Sequence, residues 1–153
     1  LAVSPVCPHP LAASSPPAPL FSLLPPWPAL AHPPFTVPDV AVSVGFSSRL
    51  WGTGPTWPML DGPFGRRKFD LGGGASLGLT EHRAASGEGR FSERNPGLDH
   101  VGFSVASAEE LLEWAAHLDT IGVVHSGPVD APYGTALNFK DPDGIALEFF
   151  LPK

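Results

Sequence analysis

The chain has 153 residues, a formal net charge of −6 and a single cysteine, Cys7. An acidic chain repels a phosphate backbone on average, and one thiol cannot build an internal disulfide framework. No run approaches the roughly 18 apolar residues of a bilayer span, so a cytoplasmic protein of about one domain is expected, with neither nucleic acid nor membrane as partner.

Residues 1–30 differ from the rest. More than half of the 20 prolines precede residue 35, with Ala and Ser filling much of the remainder. Proline removes amide donors and fixes φ, which predicts a Pro-rich disordered tail. No Lys or Arg precedes the apolar stretch from Leu20 to Leu24, which argues against a signal peptide.

Residues 31–152 read as one domain made of module one (31–82), a linker (83–96) and module two (97–152). In module one, a strand is expected from Ala31 to Val37, although Pro33 and Pro34 lack ladder donors and suit only an edge. Asp39 can cap a helix that turns Val42, Phe46 and Leu50 inward. Gly45 costs that helix about 1 kcal/mol against alanine, so this half is expected to be the less stable. Strands follow near Thr56–Leu60, Arg66–Leu71 and Ala75–His82. Arg83–Pro96, polar and rich in Gly and Ser, is the linker.

Module two follows the same plan. Leu98–Val105 alternates as a strand, with Val101, Phe103 and Val105 on one face and His100, Gly102 and Ser104 on the other. Ser107 and Glu110 form a capping box for a helix to about Asp119, with Leu111, Leu112, Ala115 and Leu118 toward the sheet. Gly122 ends it. Strands are expected at Val123–His125, Thr135–Lys140 and Ile145–Leu151, the last two joined by the turn Asp141-Pro142-Asp143-Gly144.

The two modules are copies. His32 to Val37 aligns with His100 to Val105, Asp61 to Gly65 with Asp130 to Gly134, and Gly74 to Leu79 with Gly144 to Phe149. The offset is 68 at the first match and 70 at the last. A repeat of that length implies one supersecondary unit used twice, with a cleft between the copies. The fold class is therefore α+β: two paired βαβββ modules forming an open, cup-shaped mixed sheet with helices outside. His32 and His100 are equivalent, and Glu148 lies on the closing strand of module two. If the copies pair about a pseudo-twofold axis, two imidazoles and one carboxylate converge, which suits a facially bound divalent metal with open positions.

The motifs Gly97-Leu98-Asp99-His100-Val101-Gly102-Phe103 and Asp141-Pro142-Asp143-Gly144-Ile145-Ala146-Leu147-Glu148-Phe149 resemble the glyoxalase / bleomycin-resistance / extradiol-dioxygenase superfamily, also called vicinal oxygen chelate. The resemblance covers about 31–152 and is carried in module one by Phe35 to Asp39 and Leu77 to Leu79. It implies metal ligands His32, His100 and Glu148, with Glu148 doubling as a catalytic base. It also implies a divalent cofactor (Fe, Zn, Ni, Mn or Mg), a small oxygenated substrate, and modules that pair within one chain or across a homodimer. Glyoxalase-I-like members carry a fourth ligand where this chain has Gly78; three ligands resemble extradiol dioxygenases and fosfomycin-type transferases instead.

The functional expectation is a metal-dependent enzyme of lyase/isomerase or dioxygenase type. A metal-free drug- or metabolite-binding protein of bleomycin-resistance type is the alternative. His82 is a substitute fourth donor if its strand bends, though a polar strand end is simpler; Thr80 and Glu81 adjoin the cup. His125 is expected in solvent, and Trp114 between helix and sheet or at the helix rim. Phe64, Tyr133 and Phe150 suit either pocket or core. Arg66, Arg67 and Lys68 read first as a solvated hairpin, with attraction of an anionic substrate as the alternative.

Overall fold

Both modules fold as the alternation predicts, and both have the order β-α-β-β-β. A computed structural model describes residues 30–59, 62–84 and 89–153. The expected tail lies outside them apart from Leu30. Module one contains β1 (Pro34–Thr36), α1 (Val40–Trp51), β2 (Trp57–Met59), β3 (Phe64–Gly72) and β4 (Ala75–His82). Module two contains β5 (Val101–Ser104), α2 (Ala108–Thr120), β6 (His125–Ala131), β7 (Gly134–Lys140) and β8 (Ala146–Pro152). Each forms a four-stranded mixed sheet, in the orders β1-β4-β3-β2 and β5-β8-β7-β6. No helix among the described residues is long and apolar enough to cross a membrane.

The proline-bearing strand sits at a sheet edge, where missing N–H groups leave no inner partner unpaired. Its carbonyls still serve the ladder: Ala31 and Pro33 accept from the amides of Ser76 and Gly78 at 3.1 and 3.2 Å. Regular pairing is nevertheless shorter than Ala31–Val37. The strand expected at Val123–His125 is displaced to His125–Ala131 because the helix end consumes Val123. Gly122, at φ +72°, donates to Asp119, and Val123 donates to Leu118, which together close α2 in a Schellman motif.

The helix starts hold as expected. Asp39 accepts from the amides of Ala41 and Val42, and Ser107 from Glu110. The Glu110 carboxylate reaches back to the amide of Ala106 at 2.7 Å. Two inward assignments change. Val42 and Leu112 are exposed, since the buried stripes run Ser43, Phe46, Ser47, Leu50 and Leu111, Ala115, Leu118. Each misassigned residue sits one position, about 100°, off its stripe.

Under α1 the core comprises Phe35, Phe69, Leu77 and Leu79; under α2 it comprises Leu137, Phe139, Leu147 and Phe149. The end of α1 docks onto module two. The Trp51 ring stands edge-on to Phe103, with centroids 4.9 Å apart, and to Trp114 and Phe149 at about the same angle. Trp114 itself stacks on Phe149 at 4.3 Å, between helix and sheet. His117 Nε2 lies 3.0 Å from the carbonyl oxygens of both Arg49 and Leu50, serving acceptors that a helix end leaves without intrahelical partners. At the other end of α1, the Ser43 hydroxyl donates to Asp143 at 3.1 Å.

Candidate functional site

Parallel pairing sets the site. On β1 and β4, Pro34 lies opposite Gly78; on β5 and β8, Gly102 lies opposite Glu148. Gly78 and Glu148 are thus structural equivalents, as the repeat requires. Alternation buries Leu147 and Phe149 beneath α2 and turns Glu148 to the opposite face. Gly102 clears the space for it: a Cβ there would lie 3.0 Å from Glu148 Oε1. In sequence that glycine stands two residues after His100, and nothing local marks its steric role.

His100 immediately precedes β5. Its Nε2 is 3.3 Å from Glu148 Oε1, and its Nδ1 is 2.6 Å from Asp99 Oδ1. With Nδ1–H donated to Asp99, the Nε2 lone pair faces a carboxylate oxygen. Two such donors side by side call for a cation between them, a proton or a metal ion. The hydrogen bond to Asp99, reinforced by the negative charge of Glu148, holds His100 above its ordinary pKa although partial burial pulls it down. Asp99 was not singled out for this role by sequence; its adjacency to His100 was the available signal.

His32 is not brought to this pair. It lines a cavity of about 140 Å³ on the module-one sheet, with Trp57, Arg66 and Lys68. Among the described residues, no three His, Cys, Asp or Glu side chains could hold a metal ion together. The cause is topological. β1 and β5 are edges of two separate sheets with no ladder between them, and His32 lines a cavity that neither His100 nor Glu148 lines. A larger cavity of about 510 Å³ opens between the modules, lined by Trp51, Leu71 and Ala75 on one side and by Gly102, Ser104 and Trp114 on the other. Neither His100 nor Glu148 lines it, and Trp114 and Phe149 place it on the helix side of the module-two sheet.

A sequence profile of the Glyoxalase/Bleomycin resistance protein/Dioxygenase superfamily matches residues 29–149. The chain belongs to that superfamily. A glyoxylase/bleomycin resistance protein/dioxygenase domain from Frankia sp. EAN1pec is 30% identical, with a TM-score of 0.74, covering 83% of this chain and 99% of that one. The fosfomycin resistance protein FosX of Listeria monocytogenes is 19% identical over 83% of this chain and 95% of that one, with a TM-score of 0.61. A variant of that FosX complexed with Mn(II) and 1S,2S-dihydroxypropylphosphonic acid gives 18% identity, 80% and 90% coverage and a TM-score of 0.60. No curated protein matches the chain.

Whether this superfamily member's residues suit a divalent ion can be judged from their spacing. Two ligand atoms each about 2.1 Å from a common ion lie about 3.0–3.4 Å apart at right-angle to tetrahedral geometry. The 3.3 Å between Nε2 and Oε1 falls in that interval, and Asp99 supplies the outer-shell carboxylate that commonly orients a ligand imidazole. The pair fits; the third donor lies elsewhere.

The remaining candidates separate cleanly. His82 is exposed against the Phe64 ring, centroids 5.8 Å apart, and is a strand-end residue. Thr80 faces the cup and accepts from Arg66 Nε at 2.9 Å. Glu81 points the other way and accepts from the amide of Val40 at the start of α1, which removes it from the cup. His125 begins a strand and is mostly buried, its Nε2 3.1 Å from Asp119, contrary to the expected exposure. Tyr133 is exposed and lines neither of these cavities.

Proposed function

We propose that the chain is a divalent-metal-dependent enzyme of the superfamily, acting on a small oxygenated substrate of lyase/isomerase or dioxygenase type at His100 and Glu148. One observation carries this reading: Nε2 and Oε1 sit 3.3 Å apart with the far ring nitrogen held by Asp99. The Mn(II) complex of a FosX relative supports it. A bound divalent ion, whether Fe, Zn, Ni, Mn or Mg, supplies Lewis acidity toward neighbouring substrate oxygens. The chain's own residues do the rest. Asp99 fixes the His100 tautomer, and Glu148 offers its second oxygen as a general base. His32 completes the ligand set only when a β1 edge comes beside a β5 edge, within the chain or in a homodimer; among the described residues neither edge pairs with a further strand.

The test is elemental analysis of protein purified without added ions, followed by calorimetric titration with Mn(II). Wild type is expected to bind one ion, with binding abolished in His100→Ala and Glu148→Gln. Equal metal content in all three proteins overturns the reading. The seat of His32, away from the pair, favours a second one: a metal-free protein that binds a drug or metabolite. Ligand binding that persists in chelator and in Glu148→Gln would select it.

A further inference from the structure

The equivalent strand pairs of the two sheets carry opposite charge on neighbouring strands, which gives module one a use of its own. In module two, Asn138 of β7 lies opposite Glu148 and Ala136 opposite Phe150. In module one, the corresponding cross-strand pairs are Lys68 with Gly78 and Arg66 with Thr80. Glycine stands where module two has its carboxylate, and two cations stand on the neighbouring strand. Alternation directs both to the face opposite the buried Phe69, Leu77 and Leu79. Trp57, opposite Lys68 on β2, gives the face an apolar wall.

These side chains line one cavity of about 140 Å³, together with His32, Ser76 and Gly78. No Asp or Glu is among its lining residues, and neither Arg66 nor Lys68 is ion-paired among the described residues. Arg66 is already held in place. Its Nε donates to Thr80 Oγ1 at 2.9 Å, and its guanidinium carbon lies 4.9 Å from the centre of the Phe64 ring. Among the described residues no partner takes its terminal amino groups, which form a fork, the geometry that takes a carboxylate or phosphoryl group bidentately. A fixed, unneutralised cation pair in a chain of net charge −6 is a local exception that the rest of the surface does not explain.

We infer that the concave face of module one is an oxyanion site: Arg66 and Lys68 bind a carboxylate or phosphoryl head group, with His32 and Ser76 at its rim and Trp57 against the adjoining part of the molecule. The cavity is well below the roughly 300–1,000 Å³ of a drug-sized site, so it receives the head group and a few atoms beyond it. The inference is independent of metal at His100 and Glu148, and its test is run in chelator so that the two readings fail separately.

The full chain, in EDTA and at constant ionic strength set with potassium chloride, is titrated with inorganic phosphate and in parallel with benzoate. Binding is followed through the ¹H–¹⁵N signals of Arg66 Nε and the indole nitrogens. Saturable shifts at Arg66 Nε and the Trp57 indole are expected, with the stronger ligand identifying phosphoryl or carboxylate as the preferred head group. Lys68→Gln should weaken binding about 10- to 100-fold, the loss of one hydrogen bond to a charged group. Arg66→Lys, which keeps charge but loses the fork, should weaken it as well, with backbone spectra confirming that both variants fold. Shifts that do not saturate, that appear equally at Arg49, Lys140 and Lys153, or that are unchanged in Lys68→Gln overturn the inference.

Discussion

Replacing Asp99 by asparagine isolates the outer shell of the candidate site, because it removes one charge and leaves an amide oxygen able to accept the His100 Nδ1–H. The present contact is 2.6 Å, and its hydrogen bond is the largest influence raising the His100 pKa. In metal-free Asp99→Asn, His100 should titrate at lower pH, read by NMR of the imidazole. The raised value also adds stability that is complete below the ordinary 6.5 and lost as pH rises through the folded-state value, so the variant's pH–stability curve should be flatter there. For Mn(II), loss of an outer-shell partner costs about 10- to 100-fold in affinity, or about 1.4–2.7 kcal/mol. That penalty should be full well above the His100 pKa. Below the His100 pKa, metal must displace a proton from Nε2, and affinity falls about tenfold per pH unit. The variant enters that regime later, so the two binding curves should converge as pH falls. An unshifted imidazole titration, or an affinity ratio that does not vary with pH, would refute the assignment of Asp99.

Trp51→Ala should cost about 3 kcal/mol, the low end for a large aromatic since the ring is half-buried, and should split one denaturation transition into two if Trp51 couples the modules; hydrogen exchange would show module one opening first. Asp141 is buried, and desolvation raises its pKa to about 6 even though its Oδ1 accepts from the amides of Asp143 and Ile145. The folded state then holds a proton that the unfolded state has released between pH 3.8 and 6, so stability falls as pH rises through that window. Asp141→Asn, which keeps the acceptor, should gain about 1–3 kcal/mol at pH 7 and little at pH 4, by urea denaturation at each pH. Gly102→Ala should displace the Glu148 carboxylate, 3.0 Å from the added carbon, and weaken Mn(II) binding while leaving the melting temperature within a few degrees.

Local rules determined the elements of this chain by themselves. Alternating strands, the Asp39 and Ser107 caps, the glycine at the end of α2 and the order βαβββ are all short-range consequences of side-chain chemistry, and each is present. The repeat also places Gly78 and Glu148 at equivalent register, because register follows from which face must be buried. Leu112 is off by one helical position because Leu111 beside it is equally apolar, whereas at Val42 the buried place goes to a polar neighbour, Ser43, whose hydroxyl bonds to Asp143.

How the copies meet was a different matter. His100 and Glu148 come together because adjacent parallel strands hold them, whereas His32 would need β1 to lie beside β5. That placement depends on how Trp51 packs against Phe103, Trp114 and Phe149 and on where His117 finds the end of α1. Likewise, Arg66 and Lys68 read as a solvated hairpin until Gly78, Trp57 and Thr80 are seen around them. Contacts between residues distant in sequence carry no periodicity of their own. Only the packed chain decides them.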